Sequence, residues 1–225
     1  MSTSSSTLLQ LPLFPLRTVL FPGGWLPLQI FEVRYLDMIA RCHAAGDPFG
    51  VVCLSEGGEV RRPAAGPAGD GFANEAFHPL GTLARIVQLE RPQPGFMLIG
   101  CVGAQRFRIL HSAKQKFGLW AGDVELLPDD AVVSVPDDLA FARAALERLV
   151  HNIELSIEHS GEAGVEVPLR KPYRWDDCAW LANRWCEMLP LAAEQKQRLL
   201  ALDSPVLRLE LVADTLGQMG LGGAR

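Results

Sequence analysis

The chain reads as an α+β protein: a β-rich amino-terminal lobe over residues 8 to 128, followed by an all-helical carboxy-terminal bundle over residues 129 to 220. Two observations predict this. Apolar residues of the first half come in short runs broken by proline and glycine, the pattern of strands joined by turns. Those of the second half recur at helical spacing between capping residues, and the change falls at Pro128-Asp129-Asp130. Met1 to Thr7 is a Ser/Thr tract without a basic stretch, which reads as a disordered tail and not as a signal peptide. Residues 221–225 read as a second flexible tail.

The elements follow in order. Pro12, Pro15, Pro22 and Pro27 interrupt a strongly apolar segment. Each removes a backbone donor and biases the preceding residue toward extended geometry, so short strands are expected and a long central strand is not. Pro22-Gly23-Gly24 is the sharpest turn, suited to the start of a small closed or half-closed sheet. From Arg34 the period changes, with Tyr35, Met38, Ile39 and Cys42 on one helical face. Strands are expected over Phe49 to Leu54, Gly81 to Leu89, Met97 to Val102, Arg106 to Leu110 and Trp120 to Leu127. Between the first two lies Ser55 to Pro79, rich in Gly, Pro and Ala and longer than most connections in a compact domain. It carries Phe72 and Phe77, which either anchor the loop to the sheet or form a lip over a binding groove.

In the helical half, Leu139, Ala142, Leu146, Leu149, Val150, Ile153 and Ile157 keep one face over five turns. After a Gly/Glu/Pro segment, Asp176 or Asp177 caps a second helix that presents Trp180, Leu181, Trp185 and Met188 and ends at Pro190. A third runs from about Leu191 to Leu202. A fourth starts at Asp203-Ser204-Pro205, a cap followed by proline in the first turn, with Val206, Leu209, Val212, Ala213 and Leu216 inward. Trp175, Trp180 and Trp185 recur every five residues, so they spread around a helix; two are expected in the core between the lobes and at least one exposed, as an anchor of the kind interfaces use.

Composition narrows the function. A chain of 225 residues with 48% hydrophobic content builds a core without metal or disulfide, yet no apolar run approaches a membrane span. The five cysteines form no C-x-x-C pair and their number is odd, which points to a reducing, cytoplasmic setting with buried thiols. Neither cysteines nor histidines are spaced as metal ligands, and no metal or cofactor is expected. The net charge of −5 and the short basic clusters Arg61-Arg62 and Arg170-Lys171 argue against nucleic acid as the partner. No G-x-x-x-x-G-K-[ST], G-x-S-x-G or H-E-x-x-H stretch occurs, so no ATPase or peptidase role and no catalytic residue is assigned.

Leu11-Pro12-Leu13-Phe14-Pro15-Leu16 through Phe21-Pro22-Gly23, running into Leu28-Gln29-Ile30-Phe31-Glu32-Val33-Arg34-Tyr35, resembles the opening of the Lon protease amino-terminal, or substrate-binding, domain. Gly81-Thr82-Leu83-Ala84-Arg85-Ile86, Gly103-Ala104-Gln105-Arg106-Phe107-Arg108-Ile109 and Trp120-Ala121-Gly122-Asp123-Val124-Glu125 resemble later motifs of that family in the same order, and Lys196 to Ser204 does so more loosely. The resemblance implies a PUA-like β-barrel or sheet followed by a helical bundle. One departure is Val33, where the family commonly has proline at the helix start. Glu32, Arg34 and Asp37 beside that start read as a structural clamp, with Arg106 or Arg108 as the expected partner of Glu32.

The function implied is a non-catalytic module that binds unfolded or exposed polypeptide segments, or a dedicated protein partner, as an adaptor in proteolysis or quality control. A shallow groove between the β lobe and the helices is expected, with an acidic rim that favours basic or apolar peptides. Phe72, Phe77 and Trp175 are the candidate peptide-binding residues. The alternatives are a small-molecule or RNA-binding PUA-like protein, and a hydrolase built from a Ser or Cys beside His78, His111 or His151.

Overall fold

The computed structural model describes residues 8–59, 74–160 and 167–221. The chain divides into two units: the segment to Asp129 together with Leu191–Leu200, and Asp130–Pro190 together with the segment from Ala201.

The first unit contains strands β1 (Leu8–Leu16), β2 (Trp25–Ile30), β3 (Phe49–Glu56), β4 (Ala76–Gln93), β5 (Phe96–Lys114) and β6 (Trp120–Leu126), with helix α1 (Val33–Ala45) between β2 and β3. The strand order is β2-β5-β4-β3-β1-β6, and β5 also pairs with β6, which closes the sheet into a barrel. Strand β5 manages both contacts by length: residues 97–102 pair with β2 and residues 107–114 with β6. All pairings are antiparallel except β1 with β3.

Strand β1 corrects the expectation that its prolines exclude a long central strand. It is nine residues long and has neighbours on both sides. The reason lies in the register. Residues 8–13 pair with β6 and residues 13–16 with β3, so the two ladders overlap only at Leu13. Pro12 and Pro15 each face a single neighbouring strand, as in an edge strand, where a missing donor is tolerated. Strands β4 and β5 are likewise longer than their apolar runs suggest. Register shifts between Thr82 and Ala84, Ile86 and Gln88, and Glu90 and Gln93 break the alternation without ending the pairing.

Alternation along the strands divides the apolar residues between two faces. Leu11, Leu13, Val52, Leu83, Phe107 and Val124 form one cluster. Phe14, Phe49, Val51, Ala84, Ile99 and Cys101 join the second, which takes in Tyr35, Met38, Ile39 and Cys42 of α1, the face read from the sequence. The glycine motifs have steric causes. A Cβ on Gly81 would lie 2.5 Å from Phe107 Cζ and 2.5 Å from the Val51 carbonyl oxygen. Gly103 meets the carbonyl of Phe21 and exchanges backbone hydrogen bonds with the turn, Gly23 N to Gly103 O at 2.7 Å and Gly103 N to Gly24 O at 2.9 Å. Gly81→Ala is expected to lower stability by about 1–3 kcal/mol, because the contact is with backbone as well as ring. Chemical denaturation measures it, and an unchanged midpoint would mean that the ring has room to move.

Helix α4 (Ala193–Leu200) groups with this unit and not with the other helices. Gln197 Nε2 donates to the Leu80 carbonyl at 2.7 Å, and Arg106 Nη1 donates to the Leu200 carbonyl at 2.8 Å.

The second unit holds α2 (Ala140–Ser160), α3 (Cys178–Met188) and α5 (Pro205–Gln218). Asp177 caps α3, accepting from the amides of Ala179 and Trp180, and Ser204 caps α5 by accepting from Leu207. Helix α3 is buried on nearly every side from Cys178 to Cys186. Trp185 Nε1 donates to the Ala142 carbonyl at 3.0 Å. Arg208, fully buried, donates to both carboxylate oxygens of Asp130 at 2.6 and 3.2 Å, to Asn183 Oδ1 at 2.9 Å and to the Leu202 carbonyl. Among the described residues, no helix is long and apolar enough to cross a membrane.

Candidate functional site

The site is built around the start of α1. Glu32 precedes the helix in extended geometry, and its carbonyl accepts from the amides of Tyr35 and Leu36 at 2.9 and 3.0 Å. Its side chain does not cap the helix. The carboxylate turns instead to Arg34, with Nε to Oε2 at 3.1 Å. The clamp expected of Glu32 therefore closes on Arg34, two residues on, and not on Arg106 or Arg108.

Arg34 is buried and its guanidinium is shared among three elements. Nη1 donates to the Gly118 carbonyl at 2.8 Å, Nη2 lies 3.5 Å from Glu75 Oε1, and the cation sits 4.4 Å from the centre of the Tyr35 ring. Tyr35 in turn stacks on Phe14 at 4.1 Å. Glu75, whose side chain is 4% exposed, also accepts from Trp120 Nε1 at 2.8 Å and lies 4.0 Å from Lys114 Nζ. One charged network thus ties the start of α1, the approach to β4, and the connection between β5 and β6.

That connection displays the next feature. Phe117 has φ 62° and ψ 10°, and its side chain is 83% exposed. A left-handed backbone is uncommon for a bulky residue and costs roughly 1–2 kcal/mol. Gly118, also left-handed at φ 75°, follows, and the turn is held by hydrogen bonds from Gly118 N to Gln115 O and from Gln115 N to Leu119 O. With Arg34 on the Gly118 carbonyl, the turn presents Phe117 outward. Phe31 and Val33, 53% and 71% exposed, flank the start of α1. Val33 and Phe117 line one hollow, and exposed apolar residues that lie together mark interaction surfaces.

Between α1 and this turn runs a half-open groove of about 710 Å³, walled by Val33, Arg34, Asp37, Ala40 and Arg41 on one side and by Gln115, Lys116, Phe117 and Leu119 on the other. A second hollow of about 380 Å³ shares Arg41, Gln115 and Leu119 with it and continues along α1 past Leu9, Leu11 and Pro12 to Asp47. Both lie within the first unit. Along the larger part, exposed Arg41 and Lys116 face a single exposed carboxylate, Asp37.

The residues singled out from sequence fall elsewhere. Phe72 lies outside the described residues. Phe77 is half-buried and meets Trp120 edge-on at 5.2 Å, packed against the cluster that contains Phe107. Trp175 belongs to the second unit, half-buried between Tyr173 at 4.9 Å and Trp180 at 5.2 Å. Glu75 and Phe117 escaped the sequence reading, and Val33 was noted there only for its place at the helix start. The available signal was an aromatic residue inside Gln115-Lys116-Phe117-Gly118, where a turn ordinarily carries polar residues.

Four of the five thiols, Cys42, Cys53, Cys101 and Cys178, are shifted away from reactivity. Burial pushes Cys101 up to about 12 and Cys178, with Asp177 adding to it, up to about 11. Burial and then the Asp47 charge raise Cys42 in the groove wall, and burial raises Cys53. An activated thiol is shifted the opposite way. Among the described residues no cluster of His, Cys, Asp and Glu could hold a metal ion.

Residues 10–218 match the family model of the ATP-dependent protease La (LON) substrate-binding domain. The crystal structure of a Lon N-terminal domain protein from Xanthomonas campestris superposes with a TM-score of 0.65 at 27% identity, covering 91% of this chain and 96% of that one. The N-terminal domain of a Mycobacterium avium complex Lon protease shares the fold at a TM-score of 0.57 and 16% identity, with coverage of 91% and 96%. Lon protease 4 of Sorangium cellulosum is 32% identical over 119 residues, which is 52% of this chain but only 13% of that protein.

Proposed function

Because the chain belongs to the LON substrate-binding domain family, we propose that it is a non-catalytic polypeptide-binding module whose docking surface is the groove beside α1, and that it serves proteolysis or quality control as an adaptor. The observation that carries the reading is Phe117: an exposed aromatic, kept in a costly backbone conformation by a buried ion-pair network, at the lip of an open groove. Strain of this kind persists where the surroundings enforce it and clusters at ligand contacts. Val33, 71% exposed, adds apolar surface to the wall of the same groove. Large exposed anchors beside a groove suit an extended segment without fixed sequence, since one or two aromatic contacts supply most of the energy of such interfaces.

The test is fluorescence anisotropy of a labelled, permanently unfolded polypeptide titrated with the protein, with labelled single-stranded RNA alongside. Saturable binding of the polypeptide alone is expected. Phe117→Gly is expected to weaken it about tenfold, the loss of one anchor worth about 1.4 kcal/mol. The same change leaves thermal stability equal or higher by up to about 1 kcal/mol, because glycine accepts the left-handed backbone and an 83% exposed ring contributes little packing. Undiminished binding by Phe117→Gly would remove the groove from the proposal; preferential binding of RNA would replace the proposal altogether.

A further inference from the structure

We infer that the groove selects extended segments in which an apolar residue is accompanied by carboxylates, an inference that rests on the polypeptide-binding reading above. The charge arrangement carries it. Of the three cations in the wall of the larger hollow, Arg34 is committed to Glu32 and Glu75 and is itself buried. Arg41 and Lys116 are exposed, and among the described residues neither forms a salt bridge. Asp37 is the single exposed carboxylate against them in that stretch; Asp47 lies in the wall of the second hollow. Lys116 immediately precedes Phe117, so an apolar side chain seated on Phe117 and Val33 brings the adjacent residues of its own chain within reach of a cation. Helix α1 has 13 residues and runs about 20 Å, a length that about six extended residues match. The groove therefore accommodates an apolar anchor and a neighbouring acidic position on one short segment. The protein as a whole carries a charge of −5, so this preference arises from local pairing against the overall field.

Three fluorescently labelled peptides of equal length separate the outcomes: a central Leu-Phe pair flanked by Glu, by Gln or by Lys. With the full chain, the Glu peptide is expected to bind about tenfold more tightly than the Lys peptide at low salt, with the gap closing as salt is added, because exposed pairs are each worth a few-fold and are screened. The double substitution Arg41→Glu, Lys116→Glu is expected to reverse the order with an unchanged melting temperature, and Arg41→Gln, Lys116→Gln to abolish it. Equal binding of the three peptides, preference for the Lys peptide, or an order that survives the charge reversal overturns the inference while the polypeptide reading stands. Absence of binding by all three peptides and by the unfolded polypeptide overturns both.

Discussion

Arg34→Met is expected to cost about 3–5 kcal/mol of stability, the range found when one member of a buried ion pair is removed. Methionine approximates the stem of arginine but returns nothing to the groups that the guanidinium serves. Glu75, with a side chain 4% exposed, would keep its charge with only Lys114 nearby at 4.0 Å, and the Gly118 carbonyl would lose a donor at 2.8 Å. Adding Glu75→Gln is expected to recover at least about 1 kcal/mol, since the neutral amide no longer needs a counter-charge and its oxygen still accepts from Trp120 Nε1. Peptide binding is not expected to return with stability. The Gly118 carbonyl would still lack its donor in the double variant, and Phe117 would relax from the position that serves the groove. Urea denaturation and peptide anisotropy on the two variants separate these effects. A loss below about 1 kcal/mol for Arg34→Met would show that the network contributes no net stability; restored binding in the double variant would detach Phe117 from Arg34.

Arg208→Met is expected to be as costly, about 3–5 kcal/mol, and in a different unit. Four partners converge on its fork: both oxygens of Asp130, the Asn183 side chain and the Leu202 carbonyl. These belong to the start of the unit, to α3 and to the turn before α5, so one side chain joins segments that are far apart in sequence. Arg208→Lys is not expected to rescue, because a single ammonium cannot reproduce the bidentate geometry toward a carboxylate. Salt is expected to have little influence, as the pair is 0% and 8% exposed on its two sides. Tryptophan fluorescence follows the loss, since Trp180 and Trp185 are buried in the same unit. Hydrogen exchange that rises in α3 and α5 while β3 to β5 stay protected is the expected signature; uniform acceleration would mean that the two units unfold as one.

Local rules made much of this fold legible. Helix α1 shows the face carried by Tyr35, Met38, Ile39 and Cys42, and the caps of α3 and α5 are Asp177 and Ser204, each a short polar side chain before an apolar period. The steric reason for Gly81 and Gly103, a ring over one and a carbonyl against the other, emerges only when distant strands meet. Two kinds of information were absent from local pattern. Proline tolerance in β1 depends on which half of the strand meets which neighbour, a property of register. The site was harder still, because its parts come from residues 31–41, 75 and 114–120, and none is unusual alone. Phe77 and Trp175 were conspicuous as large aromatics near loops, yet each found ring partners in the fold. Phe117, 83% exposed, sat in a short connection that the strand pattern passed over.

The position of β1 also sets an order of events at the ribosome. Leu8 pairs with Glu125, and Leu13 with Trp120, so the first strand of the barrel must wait for the last before its second neighbour exists. At about 5–20 residues per second the interval lasts several seconds, during which a Leu- and Pro-rich strand lacks part of its sheet. Helix α4, which donates to Leu80 and accepts from Arg106, arrives later again. Pairings of such long sequence separation make for slow closure. Pro12 and Pro15 each face a single neighbouring strand in the finished barrel, and with no amide hydrogen to donate they are poor substrates for edge-to-edge pairing with another chain in that interval.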